Sequence, residues 1–328
     1  MAQREPLYPE PCVIMAPLSN YTDMPFRMAC RRQGCHYAFS QLVSTGSLTH
    51  GNPRCGQLLL RGKDEPWLGV QLFGSSPDKL AEAARILNDH EFDVLDFNMG
   101  CPVPKVMKRG AGAALGSNIP LAVACLEALV KTSRFPVTAK IRVLPGKDPE
   151  PSVRYALALE AAGIRALTIH GRRVAPVYAG PGAHDIIRAA SEALSIPVIA
   201  NGGAMDRESA RGLRLETGCG RIMVARGAIG NPWIFRELLD PAAPAGQTHE
   251  EVCSELERHV LDMVGMYGEE HGIVRARKII LSYLTGRGYR RFRRRAVTGL
   301  SDPGEFMQLL DIIRGEGPSR RSFSSPVG

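Results

Sequence analysis

The 328-residue sequence has no apolar run of the roughly 18–20 residues that a membrane-spanning helix needs. Its first residues, MAQREPLYPEP, lack the apolar centre of a secretory signal, so the expected compartment is the cytoplasm, with no membrane partner. No C-x-x-C pair occurs among the 8 cysteines, which stand at 12, 30, 35, 55, 101, 125, 219 and 253. The chain is too long and its cysteines too sparse for a disulfide-stapled scaffold, so reduced and mostly buried thiols are expected. No heptad persists, and 34 glycines in 328 residues exclude collagen. The pairing of low hydrophobicity with high net charge that marks disorder is also missing, since 44% of residues are hydrophobic and 23% charged. There is no internal repeat, no Walker loop, no H-E-x-x-H and no G-x-S-x-G. What remains is a globular chain with a sizeable core.

A charge excess is present. Lys plus Arg number 41 against 33 Asp plus Glu, a formal net charge of +8. That excess permits a polyanionic partner without requiring one.

Short apolar runs recur with helical stretches between them. Core strands are expected near Val13–Ala16, Tyr37–Ser40, Leu68–Leu72, Val94–Asn98, Val137–Ile141, Ala166–His170, Val198–Asn201 and Arg221–Val224. The runs are continuous rather than alternating, as in parallel strands covered on both faces. Helices are expected at Asp78–Leu87, Leu121–Lys131, Val153–Ala162, Ala183–Leu194 and Arg207–Glu216. Ser-Pro-Asp at 76–78 supplies a start signal for the first of these, and Gly163 a stop after the third. Eight strand signals alternating with helices over about 240 residues predict an α/β chain forming a (β/α)8 TIM barrel. An open doubly wound sheet is the alternative. The composition shifts after Leu239. Residues 1–239 are therefore read as the barrel, 240–247 (DPAAPAGQ) as a linker, 248–315 as a small C-terminal helical domain and 316–328 as a flexible tail. Helices are expected there at Glu250–Tyr267 and Val274–Leu284.

The segment DFNMGCP, Asp96 to Pro102, ends the fourth strand and aims Asn98 and Cys101 at the barrel mouth. A cysteine there can act as a nucleophile, as an acid or as a structural thiol, and the pattern leaves these open. No second Cys or His stands at ligand spacing, so no metal is expected. As an acid, an ordinary thiol with pKa about 8.5 is mostly protonated at neutral pH. Lys140 and Arg142 end the fifth strand in one phase and suit an anionic ligand or developing negative charge, or else form a solvated strand end. His170 ends the sixth strand. Asn201-Gly202-Gly203 and Ala225-Arg226-Gly227 follow the seventh and eighth, where barrels commonly hold a phosphate; chain reversal alone would also explain the glycines. Gly110-Ala-Gly112 follows Lys108-Arg109 rather than a strand and is rejected as a dinucleotide fingerprint. Ile273–Leu300 carries Arg275, Arg277, Lys278, Arg287, Arg290, Arg291, Arg293, Arg294 and Arg295 with no acid, and Tyr289 and Phe292 interleave its densest part. That suits RNA, or a solvated helical face.

Together these segments resemble the tRNA-dihydrouridine synthase family, most closely its bacterial B-type branch. The residues that carry the likeness are MAPLSNYTDMPFR (Met15–Arg27), Val70-Gln71-Leu72, DFNMGCP, Lys140-Ile-Arg142, Thr168-Ile-His-Gly-Arg172, IPVIANG (Ile196–Gly202) and NPWIFR (Asn231–Arg236). The resemblance spans about residues 11 to 295. It implies an FMN-dependent barrel enzyme that reduces the C5–C6 bond of chosen uridines in tRNA and reloads its flavin from NADPH. It implies that Cys101 is the general acid that protonates C5 while flavin N5 delivers hydride to C6. Pro17, Leu18 and Ser19 would border the flavin ring. Gln71, Lys140 and His170 would contact it, and Asn201, Gly202, Gly203, Ala225 and Arg226 would hold its phosphate. Asn98 would orient the uracil, and Arg142 would face the substrate. No stable protein partner is implied. The chain departs from the family pattern at Leu18, where Met is usual, at Gly203, where Asp is common, and at the Val-Leu-Pro that follows Arg142; its arginine-rich end also exceeds the pattern. Two other functions stay open. One is a flavin dehydrogenase acting on a free pyrimidine, and the other a non-catalytic RNA-binding barrel.

Overall fold

The computed structural model describes residues 7–173, 182–294 and 299–319. Eight parallel strands close into a barrel in sequence order: β1 Cys12–Met15, β2 Tyr37–Ser44, β3 Leu68–Phe73, β4 Val94–Met99, β5 Val137–Arg142, β6 Leu167–His170, β7 Val198–Asn201 and β8 Arg221–Val224. β1 pairs with both β2 and β8, which shuts the sheet and removes its edges. The barrel replaces the open-sheet alternative.

The helices are α1 Met24–Arg31, α2 Thr45–Thr49, α3 Arg54–Leu59, α4 Pro77–Leu87, α5 Pro104–Met107, α6 Ile119–Thr132, α7 Glu150–Ala161, α8 His184–Ala193 and α9 Arg207–Thr217, then α10 Ile234–Leu239, α11 His249–Tyr267, α12 Glu269–Leu284 and α13 Pro303–Glu316. Their starts follow local chemistry. The Ser76 side chain accepts from Lys79 N–H to cap α4, and Asp206 accepts from Ser209 N–H to cap α9. Thr248 and Glu251 form a reciprocal capping box on α11. Gly163 follows α7 at φ +96°, where a side chain would be strained.

β2 runs four residues beyond the expected Ser40, with a register irregularity between Phe39 and Leu42 in its pairing with β3. A bulge of this kind hides a strand from periodicity, because side-chain alternation changes phase across it.

The barrel floor is apolar. Tyr8, Ile14, Phe39, Val94, Ile199 and Met223 cluster with Trp67, which meets the rings of Tyr8, Tyr37 and Phe39 at 5.7, 5.3 and 5.5 Å. Above it lies a polar layer of Gln71, Asp96 and Thr138, all buried.

Packing divides the chain into two units, residues 1–24 with 35–226, and 25–34 with 227–328. The expected 1–239 barrel therefore differs from the packing at two places. Pro25–Gly34 and Gly227–Leu239 group with the helices rather than with the strands. In the second unit Arg32 explains the first assignment: it contacts Glu255 at 2.7 Å and Asp262 at 2.9 Å, partners more than 220 residues away. The helical unit also extends past the expected end at 315. α13 reaches Glu316, and Arg291 bonds Glu316 Oε2 at 3.0 Å, Gly317 O at 2.7 Å and Ser319 Oγ at 2.9 Å. The rest of the expected tail, residues 320–328, lies outside the described residues, as does Arg295. Residues 240–247 are non-helical and join α10 to α11. Among the described residues no helix is long and apolar enough to cross a membrane.

Gly69 in β3 has no room for a side chain. A Cβ there would strike the Phe39 ring and come within 2.8 Å of Val94 Cγ1. Gly69→Ala should therefore cost about 1–3 kcal/mol of stability by overpacking, read as a lower denaturant midpoint at unchanged slope.

Candidate active site

The strands end at one mouth, and pairing register decides which side chains meet there. Asn98 is level with Lys140, Arg142 with His170, and His170 with Asn201. One layer deeper, Gln71 is level with Asp96, and Asp96 with Thr138.

A cavity of about 390 Å³ opens at this mouth, within the size range of small-molecule sites. Cys101 lines it from the turn after β4, Lys140 and Arg142 from β5, and His170 from β6. Pro17, Leu18 and Ser19 line it after β1. Asn201, Gly202 and Gly203 close it after β7, and Ala225 and Arg226 after β8. Asn98 also reaches it. The sequence thus identified most of the lining. Among the lining residues missed are Leu42 and Met223 on strands and Val103 and Met205 in the segments after β4 and β7, since nothing in an apolar residue marks it as facing a ligand rather than the core.

Gln71, expected at a ligand ring, is fully buried beneath the residues that line the cavity. Its Nε2 donates to Asp96 Oδ2 at 2.6 Å, and its Oε1 accepts from Asn98 Nδ2 at 2.8 Å. Alternation points it inward but does not say at which depth.

Asn98 turns its Oδ1 to the backbone N–H groups of Gly100 and Cys101, at 3.3 and 3.0 Å. Arg142 Nε donates to Gly100 O at 2.7 Å. The Cys101 turn is thereby held from two sides. Gly112 lies over it at φ +62°, with Ala113 N–H donating to Cys101 O at 3.0 Å. A Cβ on Gly112 would come within 2.6 Å of Cys101 O and 3.1 Å of Cys101 Cβ. Gly202, at φ +123°, would bring a Cβ within 3.0 Å of His170 Cδ2.

Lys140 Nζ donates to Asn201 Oδ1 at 2.7 Å, and Asn201 Nδ2 donates to Met223 O at 2.8 Å. Burial, and then Arg142, push the Lys140 ammonium down to about 7, while Asp96 pulls the other way. Burial first, and then Lys140 and three arginines, hold His170 far below its ordinary value, so its ring is neutral at physiological pH. Burial lifts Asp96 to about 6 against the hydrogen bonds of Gln71 and Thr138 and the charge of Lys140. Three cations and no carboxylate line the cavity among the described residues. An anionic ligand therefore fits, and its arrival would return charge to Lys140. Glycine backbone at Gly202 and Gly203, both at positive φ, leaves that rim open to a phosphate; at Gly203 nothing lies within 4 Å of where a Cβ would stand.

The sequence from residue 14 to 315 matches the model of the dihydrouridine synthase family. The chain belongs to that family. Among its relatives are the tRNA-dihydrouridine synthase B of Pseudomonas aeruginosa, 40% identical over 86% of each chain, and that of Pasteurella multocida, 34% identical over 91% of each. Shewanella oneidensis has another at 37% identity, covering 86% of this chain and 88% of its own. A solved structure of FabK from Thermotoga maritima aligns at a TM-score of 0.40 and 15% identity over 67% of this chain and 59% of that one.

The Lys140 shift gives a signed expectation. As pH falls through about 7 the ammonium gains its proton in the folded protein, so the cavity becomes more cationic. Sulfate, whose charge is constant over this range, should bind the apoprotein more tightly below pH 7 than above it. Lys140→Met should flatten that dependence, with calorimetric titration as the readout.

Proposed function

We propose that this protein reduces the C5–C6 bond of uridines in tRNA to give dihydrouridine, with FMN bound in the barrel mouth and NADPH as the electron source. The observation that carries the reading is the convergence of Cys101 from the turn after β4, Lys140 from β5 and His170 from β6 on one cavity whose described lining holds no carboxylate. The relatives' names fix the substrate class of that reading.

The residues fit FMN as follows. Gly202, Gly203, Ala225 and Arg226 hold the phosphate through backbone N–H groups and one guanidinium. Pro17, Leu18 and Ser19 border the ring system, and Lys140 and His170 face it. The carboxylate common in the family is replaced at Gly203, and no other carboxylate lines the cavity among the described residues. When bound and reduced, the flavin supplies the hydride for C6 of the uracil. Cys101 Sγ holds the proton that C5 receives, and the thiolate left behind lies in a cavity whose charged lining groups are all cations. Proton delivery of this kind is typically worth roughly 10²–10⁴ in rate. Lys140 stabilises negative charge on its ligand because a nearby anion restores its proton. His170 serves as a neutral imidazole. Asn98 spends its oxygen on the Cys101 turn and its NH2 on Gln71, so it positions the acid more directly than it orients a base.

The base must leave its stack to reach the cavity, at a cost of a few kcal/mol. Phosphate contacts offset this. In the helical unit Arg290 and Arg294 are exposed and Arg293 half-buried, and these are the phosphate ligands of this reading. Three other arginines of the basic segment serve the fold. Arg287 donates to Gly230 O at 2.9 Å, Arg277 to Leu300 O at 2.8 Å, and Arg291 is tied to α13. The compartment this substrate implies is the cytoplasm.

Cys101→Ala should keep FMN, seen as a yellow protein that releases flavin on denaturation. It should lose dihydrouridine formation on unmodified tRNA by about 10²-fold or more. Full turnover by that variant would remove Cys101 from the chemistry. Neutralising Arg290, Arg293 and Arg294 together should weaken tRNA binding and reduce its salt slope by up to about one per lost phosphate contact, at unchanged flavin content.

A further inference from the structure

The polar layer beneath the mouth has a direction. An ionised carboxylate only accepts hydrogen bonds. Asp96 Oδ1 accepts from Thr138 Oγ1 at 2.6 Å, and Asp96 Oδ2 from Gln71 Nε2 at 2.6 Å. The NH2 end of Gln71 is thereby committed to Asp96. Only its oxygen is left for Asn98, which meets it with Nδ2 at 2.8 Å. Only the Asn98 oxygen is then left for the N–H groups of Gly100 and Cys101. An amide has nearly the same shape when flipped, so packing does not choose between the two settings. The carboxylate does so from one end, and the donor-only N–H groups of Gly100 and Cys101 from the other.

We infer that Asp96 is a positioning residue: through the Gln71 and Asn98 amides it fixes the polarity of the bonds that hold the Cys101 backbone at the cavity. Asp96 stays out of the cavity lining and acts only through its neighbours. Its other oxygen is held by Thr138 on the neighbouring strand. The inference rests on the reading of Cys101 as the proton donor.

Asp96→Asn keeps the shape but adds an NH2 group, and both settings of the two amides become available. In one of them the Asn98 NH2 faces two N–H groups, donor against donor, and the Cys101 turn loses its anchor. Adding Gln71→Glu to Asp96→Asn restores a single direction. The carboxylate, now at position 71, accepts from the amide at position 96 on one side and from Asn98 Nδ2 on the other, with net charge unchanged.

The test compares the wild-type holoenzyme, Asp96→Asn and the double variant. One readout is hydrogen–deuterium exchange of the Met99–Gly112 stretch, with the rate at which iodoacetamide alkylates Cys101; the other seven cysteines are buried. The second readout is single-turnover formation of dihydrouridine on unmodified tRNA by the pre-reduced enzyme. Asp96→Asn should exchange faster in this stretch, shift the alkylation rate, and slow turnover by about 100-fold, the order expected for a displaced catalytic group. The double variant should return all three toward wild type. Wild-type behaviour in Asp96→Asn, or a double variant no better than the single, overturns the inference. If Asp96→Asn does not fold, the double variant decides: folded with wild-type exchange, it supports the role, and unfolded or rapidly exchanging, it refutes it. If exchange and alkylation follow the expected pattern while no protein, wild type included, acts on tRNA, the functional reading fails and the positioning role stands.

Discussion

An ionised carboxylate inside a protein is costly unless hydrogen bonds replace its water, and Asp96 meets that condition with two 2.6 Å bonds in the middle of the barrel. The rest of the mouth is arranged around it. Its charge opposes the burial that would otherwise strip Lys140 of its proton more completely, and Lys140 in turn keeps Asp96 from rising further. Both groups end within reach of neutral pH, one acid raised and one base lowered, with an apolar floor beneath and open cavity above. A ligand that brings negative charge favours the protonated form of Lys140. A barrel interior filled by branched apolar side chains, the commoner arrangement, would leave Lys140 without a counter-charge and Asn98 without a partner.

Much of this architecture is legible in the sequence, and the illegible parts share a cause. Parallel strands covered on both faces must be apolar throughout, so the runs from Leu68, Val94 and Val137 announce themselves. Caps are local, so Ser76 and Gly163 mark helix ends without reference to the fold. Depth and register are not local. The phase of β3 says that Gln71 points inward. Only its pairing with Asp96, and that of Asn98 with Lys140, sets it one layer below the mouth. Asp96 itself offered a signal in its two-residue spacing from Asn98, since an acid on an otherwise apolar strand demands partners inside. The grouping of Pro25–Gly34 with the helical unit has no local signal, because Arg32 finds Glu255 and Asp262 across most of the chain.

The basic segment teaches the complementary lesson about composition. Counted as charge, the arginines after Ile273 read as one polyanion-binding face. Taken one at a time they divide. Arg287 lies 5.5 Å from the Trp233 ring centre and caps Gly230 O, in a place where its guanidinium joins backbone and aromatic surface that Lys could not span as well. Arg277 and Arg291 close carbonyls at Leu300 and Gly317. Charge density alone does not separate such braces from exposed neighbours. The hydrogen bonds of Arg277, Arg287 and Arg291 to backbone carbonyls identify these three as braces.

The glycine pair at 110 and 112 shows how one sequence feature can serve a different purpose from the one it resembles. In a dinucleotide fold such glycines let the backbone approach a phosphate. Here Gly112 lets one turn of chain approach another, and what it approaches is the carbonyl of Cys101. Three constraints then bear on that short turn: the Asn98 oxygen on its N–H groups, the Arg142 guanidinium on Gly100 O, and the Ala113 N–H on Cys101 O. Each comes from a different segment. A side chain that is only half-buried on a loop would ordinarily sample many positions; one whose backbone is fixed on both faces has few left to lose. Placing the thiol on a turn rather than on a strand therefore does not sacrifice precision, and it frees the strand positions beneath for the polar layer that orients it.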